Sequence, residues 1–147
     1  MILVLDASVA LKWFFRSRPA EADTGVALAL LQALGSGAVT LHQPVHFVAE
    51  LAAVLARELP DQALSLLGDL LDIQMQVIDS PAVMARAVDL AARHQHPLFD
   101  TLYHAVALET EGALLVTADA AYLRKAAREG QIVSLAQWGL GAYPAAR

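Results

Sequence analysis

Short apolar runs of strand length alternate with longer stretches of helical length along this chain, and few folds accommodate that alternation. Ile2–Leu5 reads as a buried strand, followed by a short helix over Ser8–Phe15. Glu21–Leu34 is an Ala/Leu-rich helix that Gly-Ser-Gly stops, and Ala38–Leu41 is a second strand. Pro44 opens a helix reaching Leu59, since a first helical position accepts proline, and Asp61–Leu71 forms another. Met75–Ile78 is a third strand, after which Ser80 caps a helix that starts at Pro81 and runs to Arg93. Beyond the break at Pro97, Phe99–Glu111 is helical up to Gly112, and Ala113–Val116 is a fourth strand. Ala120–Glu129 is a helix stopped by Gly130, with Ile132–Ser134 as a fifth strand. Strands separated by helices require right-handed crossovers, and so a mostly parallel sheet covered on both faces. The expected architecture is three-layer α/β/α around a mostly parallel sheet of four to five strands.

No low-complexity tract, Ser/Gly linker or repeat interrupts the pattern, so residues 1–147 are expected to form a single domain. With 57% apolar residues and only 6% aromatics, Ala, Leu and Val must build the core, and disorder is excluded. The absence of cysteine rules out a disulfide framework and a thiolate metal site, in keeping with a reducing cytosol. Asp6 and Lys12 interrupt the apolar start far short of a signal peptide or membrane span, so a soluble, unprocessed, cytoplasmic protein is expected. A net charge of −5 opposes general polyanion binding, unless acids and bases are segregated to different places.

In sheets of this kind, sites form beyond the carboxyl ends of the strands, where strand order reverses. Asp6 directly follows the first strand, and Asp119 closes Thr117-Ala118-Asp119 after the fourth. Asp100 sits at a helix start, where free backbone N–H groups and the helix dipole favour a carboxylate. Glu50 lies inside a helix among Phe47, Val48, Leu51 and Ala52, either on a narrow solvated stripe or turned into a cleft. Singly, each acid has an ordinary reading: a helix cap for Asp100 or Asp119, an exposed surface residue for Glu50. The combination is harder to reach by accident.

Should the four converge, a counterion is required. Two like charges about 4 Å apart repel by roughly 4 kcal/mol at an effective dielectric near 20, so the group must take up protons or bind a cation. All-oxygen donors select a hard ion, with Mg²⁺ expected and Mn²⁺ as the alternative. Such an ion would acidify a bound water and clamp a phosphodiester for hydrolysis. Ser8 and Thr117 are candidate supporting hydroxyls that orient the carboxylates.

These residues lie in motifs that span nearly the whole chain: Val-Leu-Asp-Ala-Ser-Val-Ala-Leu-Lys-Trp-Phe around Asp6, and Glu50 in the third helix. Leu-Phe-Asp-Thr-Leu-Tyr-His-Ala-Val-Ala-Leu-Glu surrounds Asp100, and Leu-Leu-Val-Thr-Ala-Asp ends at Asp119. In order and spacing the chain resembles a PIN-domain ribonuclease, specifically the VapC-type toxin of a type II toxin–antitoxin pair. The resemblance implies a five-stranded parallel sheet between helices, a homodimer and Mg²⁺-dependent endonucleolytic cleavage of RNA. It further implies Asp6 and Asp100 as principal metal ligands, with Glu50 and Asp119 completing the catalytic quartet directly or through water. A cognate antitoxin is expected to insert a C-terminal segment into the cleft. Two departures stand out: Ala53 occupies a position where many relatives carry Asn, and Ala120, Ala121 and Tyr122 follow Asp119 where some carry another acid.

Lys12, Arg16 and Arg18 after Asp6, and Arg124, Lys125 and Arg128 after Asp119, either line an approach for RNA phosphates or form solvated helix faces. Trp13 and Phe14, at helical spacing, suit core or dimer packing better than base stacking. His46 precedes Glu50 by four residues and His104 follows Asp100 by four, so each pair would share a helix face and offer imidazole to a softer ion. His94-x-His96 reads as loop rather than ligand. Two other functional classes compete: a non-catalytic interaction module on the same scaffold, and an aspartate-based phosphotransfer domain. The second is weakened by Ser8, where phosphatases place a second aspartate, and by the lack of a lysine after the last strand. No Gly-rich phosphate loop, nucleophilic cysteine or Gly-x-Ser-x-Gly elbow is present.

Overall fold

A computed structural model describes residues 1–18 and 22–141 of the chain. Five strands, β1 (Ile2–Leu5), β2 (Thr40–Gln43), β3 (Gln76–Val77), β4 (Ala113–Thr117) and β5 (Ile132–Ser134), form one sheet in the order β3-β2-β1-β4-β5. Every pair is parallel, with Leu3 opposite Leu41 and Leu114, and Val116 opposite Leu5 and Val133. Leu3, Val4 and Leu5 are fully buried and all of β4 is buried, because a central parallel strand is covered on both faces.

The connections follow from crossover handedness. Right-handed links running outward from β1 to β3 carry α1 (Ala7–Phe14), α2 (Thr24–Gly35), α3 (Phe47–Glu58) and α4 (Ala63–Leu71) on one face. The return links through β4 to β5 carry α5 (Pro81–His94), α6 (Leu98–Leu108) and α7 (Ala120–Ala126) on the other. Helix α6 lies against β1, β2 and β4 with α5 packed over it, while α1 lies against β1 and β4 and touches α2 and α3. A last helix, α8 (Leu135–Gly139), returns to α2. Three-layer α/β/α is the observed architecture.

Local chemistry explains the element ends. Ser80 accepts from the Val83 N–H at 3.2 Å and Pro81 begins α5, as the sequence suggested. Helix α5 stops at Gln95, a non-glycine residue in the left-handed region with φ 49°. Trp13 is buried in the core and donates its indole N–H to the Ala27 carbonyl at 2.9 Å.

Several expected boundaries move. Pro44 does not open α3: the Phe47 N–H bonds the Pro44 carbonyl at 3.2 Å in a turn that lifts the chain off β2, and the helix starts at Phe47. Strand β2 runs over Thr40–Gln43 instead of Ala38–Leu41, because the turn through Gly37, at φ 77°, delays pairing with β1 until Thr40 meets Ile2. Helix α6 closes at Leu108 and α7 at Ala126, the latter passing into a 3-10 turn over Ala127–Glu129. Helix α2 begins at Thr24, and the expected start at Glu21 falls outside the described residues. Helix α8, unexpected from the sequence, rests on a reciprocal cap between Ser134 and Gln137.

Candidate active site

Strand order reverses between β1 and β4, and the two segments leaving their carboxyl ends bring Asp6 and Asp119 to one crevice. Asp6 caps α1, and its Oδ2 accepts from both the backbone N–H and the hydroxyl of Ser8. The Asp6 N–H bonds the Val116 carbonyl at 3.1 Å, and Ser8 Oγ accepts from the Ala118 N–H at 3.1 Å, locking the two strand ends together. Asp119 caps α7 by accepting the Tyr122 N–H at Oδ1 (3.0 Å), while its own N–H donates to Thr117 Oγ1 at 3.0 Å. Both hydroxyls singled out by sequence therefore sit beneath the two strand-end carboxylates.

Asp100 lies in the first turn of α6 and Glu50 in the first turn of α3. Tyr103, one turn beyond Asp100, donates its hydroxyl to Glu50 Oε2 at 2.6 Å and so ties α6 to α3 across the crevice. Burial, the bond to Glu50, and the charges of Glu50, Asp6 and Asp100 raise the Tyr103 phenol far above its ordinary value. It stays a donor throughout the accessible pH range. Asp6 responds to the same crowding: burial first, then the charges of Asp100 and Glu50, outweigh the Ser8 bonds and push its carboxyl up to about 6. All four acids are half-buried.

The tightest grouping of donor atoms includes His96, which the sequence placed in a loop rather than among the ligands. His96 Nε2 stands 2.9 Å from Asp100 Oδ2 and 3.9 Å from Asp119 Oδ2. Its position four residues before Asp100 was a usable signal, obscured because His96 falls in the loop ahead of the break at Pro97. His104 does not share a face with Asp100 in the expected way. It is fully buried, its Nε2 donating to the Gly130 carbonyl (2.8 Å) and its Nδ1 accepting from the Tyr122 hydroxyl (2.9 Å), and burial lowers its pKa. His46 does lie beside Glu50, at 3.4 Å, and its Nε2 bonds the Phe99 carbonyl at 2.7 Å. Gln43, also unforeseen, is fully buried and continues the β1–β2 ladder with its side-chain amide, pairing with both the N–H and carbonyl of Leu5 at 3.1 and 2.9 Å. That clamp fixes the backbone immediately before Asp6.

The basic residues divide. Lys12 is buried, and its ammonium donates to the Ala22 carbonyl at 2.7 Å. Arg16 and Arg124 are exposed. At the helical rise of about 1.5 Å per residue, Arg124 lies roughly 7 Å along α7 from Asp119, whereas Arg16 lies past the far end of α1 from Asp6.

Carboxylate oxygens, with an imidazole beside them, form a donor set suited to a divalent cation. Residues 3–129 match the PIN domain family, and the chain belongs to it. Solved structures of the same fold include VapBC-1 from nontypeable Haemophilus influenzae, at TM-score 0.65 and 16% identity over 92% of this chain and 99% of that one. VapBC2 from Rickettsia felis, bound to a DNA fragment from their promoter, aligns at TM-score 0.64 and 20% identity over 91% and 97% of the two chains. A protein from Pyrobaculum aerophilum aligns at TM-score 0.62 and 19% identity, over 97% of this chain and 98% of that one. No curated protein matches the chain.

Proposed function

We propose that the chain is a Mg²⁺-dependent endoribonuclease, with Mn²⁺ an alternative ion, and the VapC-type toxin of a toxin–antitoxin pair. The observation that carries this reading is the meeting of Asp6, Glu50, Asp100 and Asp119 at the strand-order reversal, where burial first and the charges of Asp100 and Glu50 second push the Asp6 carboxyl toward protonation. Membership of the PIN domain family supports a nuclease, and the VapBC complexes among its structural neighbours support an antitoxin partner. The protein would act in the cytoplasm as a homodimer until the antitoxin covers the cleft. Among the described residues no helix is long and apolar enough to cross a membrane.

Asp6 and Asp100 would hold the ion, with Glu50 and Asp119 completing the donor set. When bound, the ion supplies charge neutralisation at the phosphodiester and a more acidic water for hydrolysis. The protein's own share is positioning. Ser8 fixes Asp6 and couples it to the Asp119 loop, Tyr103 keeps Glu50 turned inward, and the cap to Tyr122 leaves one Asp119 oxygen facing the crevice. Exposed Arg124 would meet RNA phosphates at the rim, leaving the acidic floor to the ion.

The test is cleavage of RNA by purified protein with Mg²⁺, with chelator, and in the Asp6→Asn and Asp100→Asn variants. Cleavage should vanish with chelator and fall at least about a hundredfold in each variant, a barrier increase of roughly 3 kcal/mol. Cleavage that survives both substitutions would exclude the metal mechanism.

A further inference from the structure

His96 belongs to neither the acidic quartet nor the core, yet it is held as firmly as either. Its side chain is only 9% exposed, and its ring lies against Tyr122 with centroids 4.7 Å apart. Its backbone N–H bonds the Ala91 carbonyl at 3.1 Å, and the left-handed Gln95 before it turns the chain toward the crevice. One donor atom each from His96, Asp100 and Asp119 lie within 4.8 Å of one another. Two ligands on opposite sides of a cation at about 2.1 Å stand roughly 4.2 Å apart, so a small closure brings all three onto one ion.

We propose that His96 is a nitrogen ligand of the divalent-ion site, shared with Asp100 and Asp119, and that it turns the site's preference from Mg²⁺ toward Mn²⁺. The proposal rests on reading the crevice as a metal site. Mg²⁺ favours oxygen donors and retains its waters, whereas imidazole suits ions further along the first transition series. Lys125 regulates this ligand. Its Nζ lies 3.2 Å from His96 Nδ1, and an ammonium can only donate, so Nδ1 accepts and the ring proton sits on Nε2, directed at Asp100. Ligation requires the other tautomer, with the Nε2 lone pair on the ion and the proton on Nδ1. Lys125 then keeps its contact with the Gln95 carbonyl, 3.4 Å from Nζ, and gives up the imidazole. Lys125 is exposed, so that exchange disturbs no packing.

The experiment is Mn²⁺ bound to the metal-free full chain, read by electron spin-echo modulation, alongside calorimetric titration of Mn²⁺ and Mg²⁺. Wild type should show ¹⁴N modulation that converts to ¹⁵N when only histidine is labelled, an arm that needs no variant to fold. The signal should disappear in His96→Gln and persist in His46→Gln. His96→Gln should weaken Mn²⁺ about tenfold or more while changing Mg²⁺ by less than about threefold, and Lys125→Met should tighten Mn²⁺. Mn²⁺ bound without nitrogen coupling, or coupling that survives His96→Gln, would overturn the proposal while leaving the carboxylate site intact. No binding of either ion by wild type would instead overturn the metal reading itself, and this proposal with it.

Discussion

The carboxyl of Asp6 keeps its proton up to about pH 6 because it is buried beside Asp100 and Glu50, and this makes its charge a liability when no cation is present. Between the unfolded value of 3.8 and the folded value near 6, the native state binds more protons than the unfolded chain. Stability should therefore fall as pH rises through that window, by on the order of 3 kcal/mol at most, and stay reduced above it. Urea unfolding in chelator should show this decline in wild type and its absence in Asp6→Asn, which keeps the helix cap. His104 acts with the opposite sign: its lowered pKa means the unfolded chain takes the proton first, so it withdraws stability as pH drops below about 6.5. The placement of Asp6 and Asp119 beyond two strand ends was legible because a strand followed by an acid is a local pattern. The approach of His96 to Asp100 and Asp119 was only half legible: its spacing from Asp100 was in the sequence, but the left-handed turn at Gln95 that aims it leaves no trace in hydrophobic periodicity. The burial of Lys12 was equally hidden, since a lysine in a helix pattern reads as solvated until its tertiary partners are known.

At the level of elements, the site depends on side chains that stand in for backbone. Gln43 supplies the donor and acceptor that Leu5 would otherwise find in a longer β2. Gln43→Leu strands both groups in the core and should cost about 2–4 kcal/mol in unfolding free energy, with weakened metal binding as Asp6 loses its seat. Tyr103→Phe removes the bond between α6 and α3. It should lower turnover roughly tenfold, more than KM, because Glu50 is freed while the core packing is kept. The succession of elements was readable from alternating periods, but their order in the sheet was not, since crossover handedness sets the face each helix covers and not which strands pair. Element ends were less so: the turn after Pro44 and the delayed start of β2 depend on strand pairing. The cap that creates α8 is local chemistry overlooked beside a short strand.

For the whole molecule, an all-parallel sheet with its order reversed at β1 and β4 concentrates negative charge at one edge, while the protein as a whole carries only −5. A proposed homodimer should sediment at twice the 15.7 kDa chain mass, and an unchanged monomer at micromolar concentration would remove that part of the reading. The reach of the account is set by whether the crevice is a cation site built at the expense of apo stability. Thermal unfolding of wild type, Asp6→Asn and Asp100→Asn, each in chelator and in saturating Mg²⁺ or Mn²⁺, tests this most directly. Both variants should match or exceed wild type in chelator, and wild type alone should gain markedly from the ion. Variants that melt well below wild type in chelator, with no gain by wild type from either ion, would contradict it.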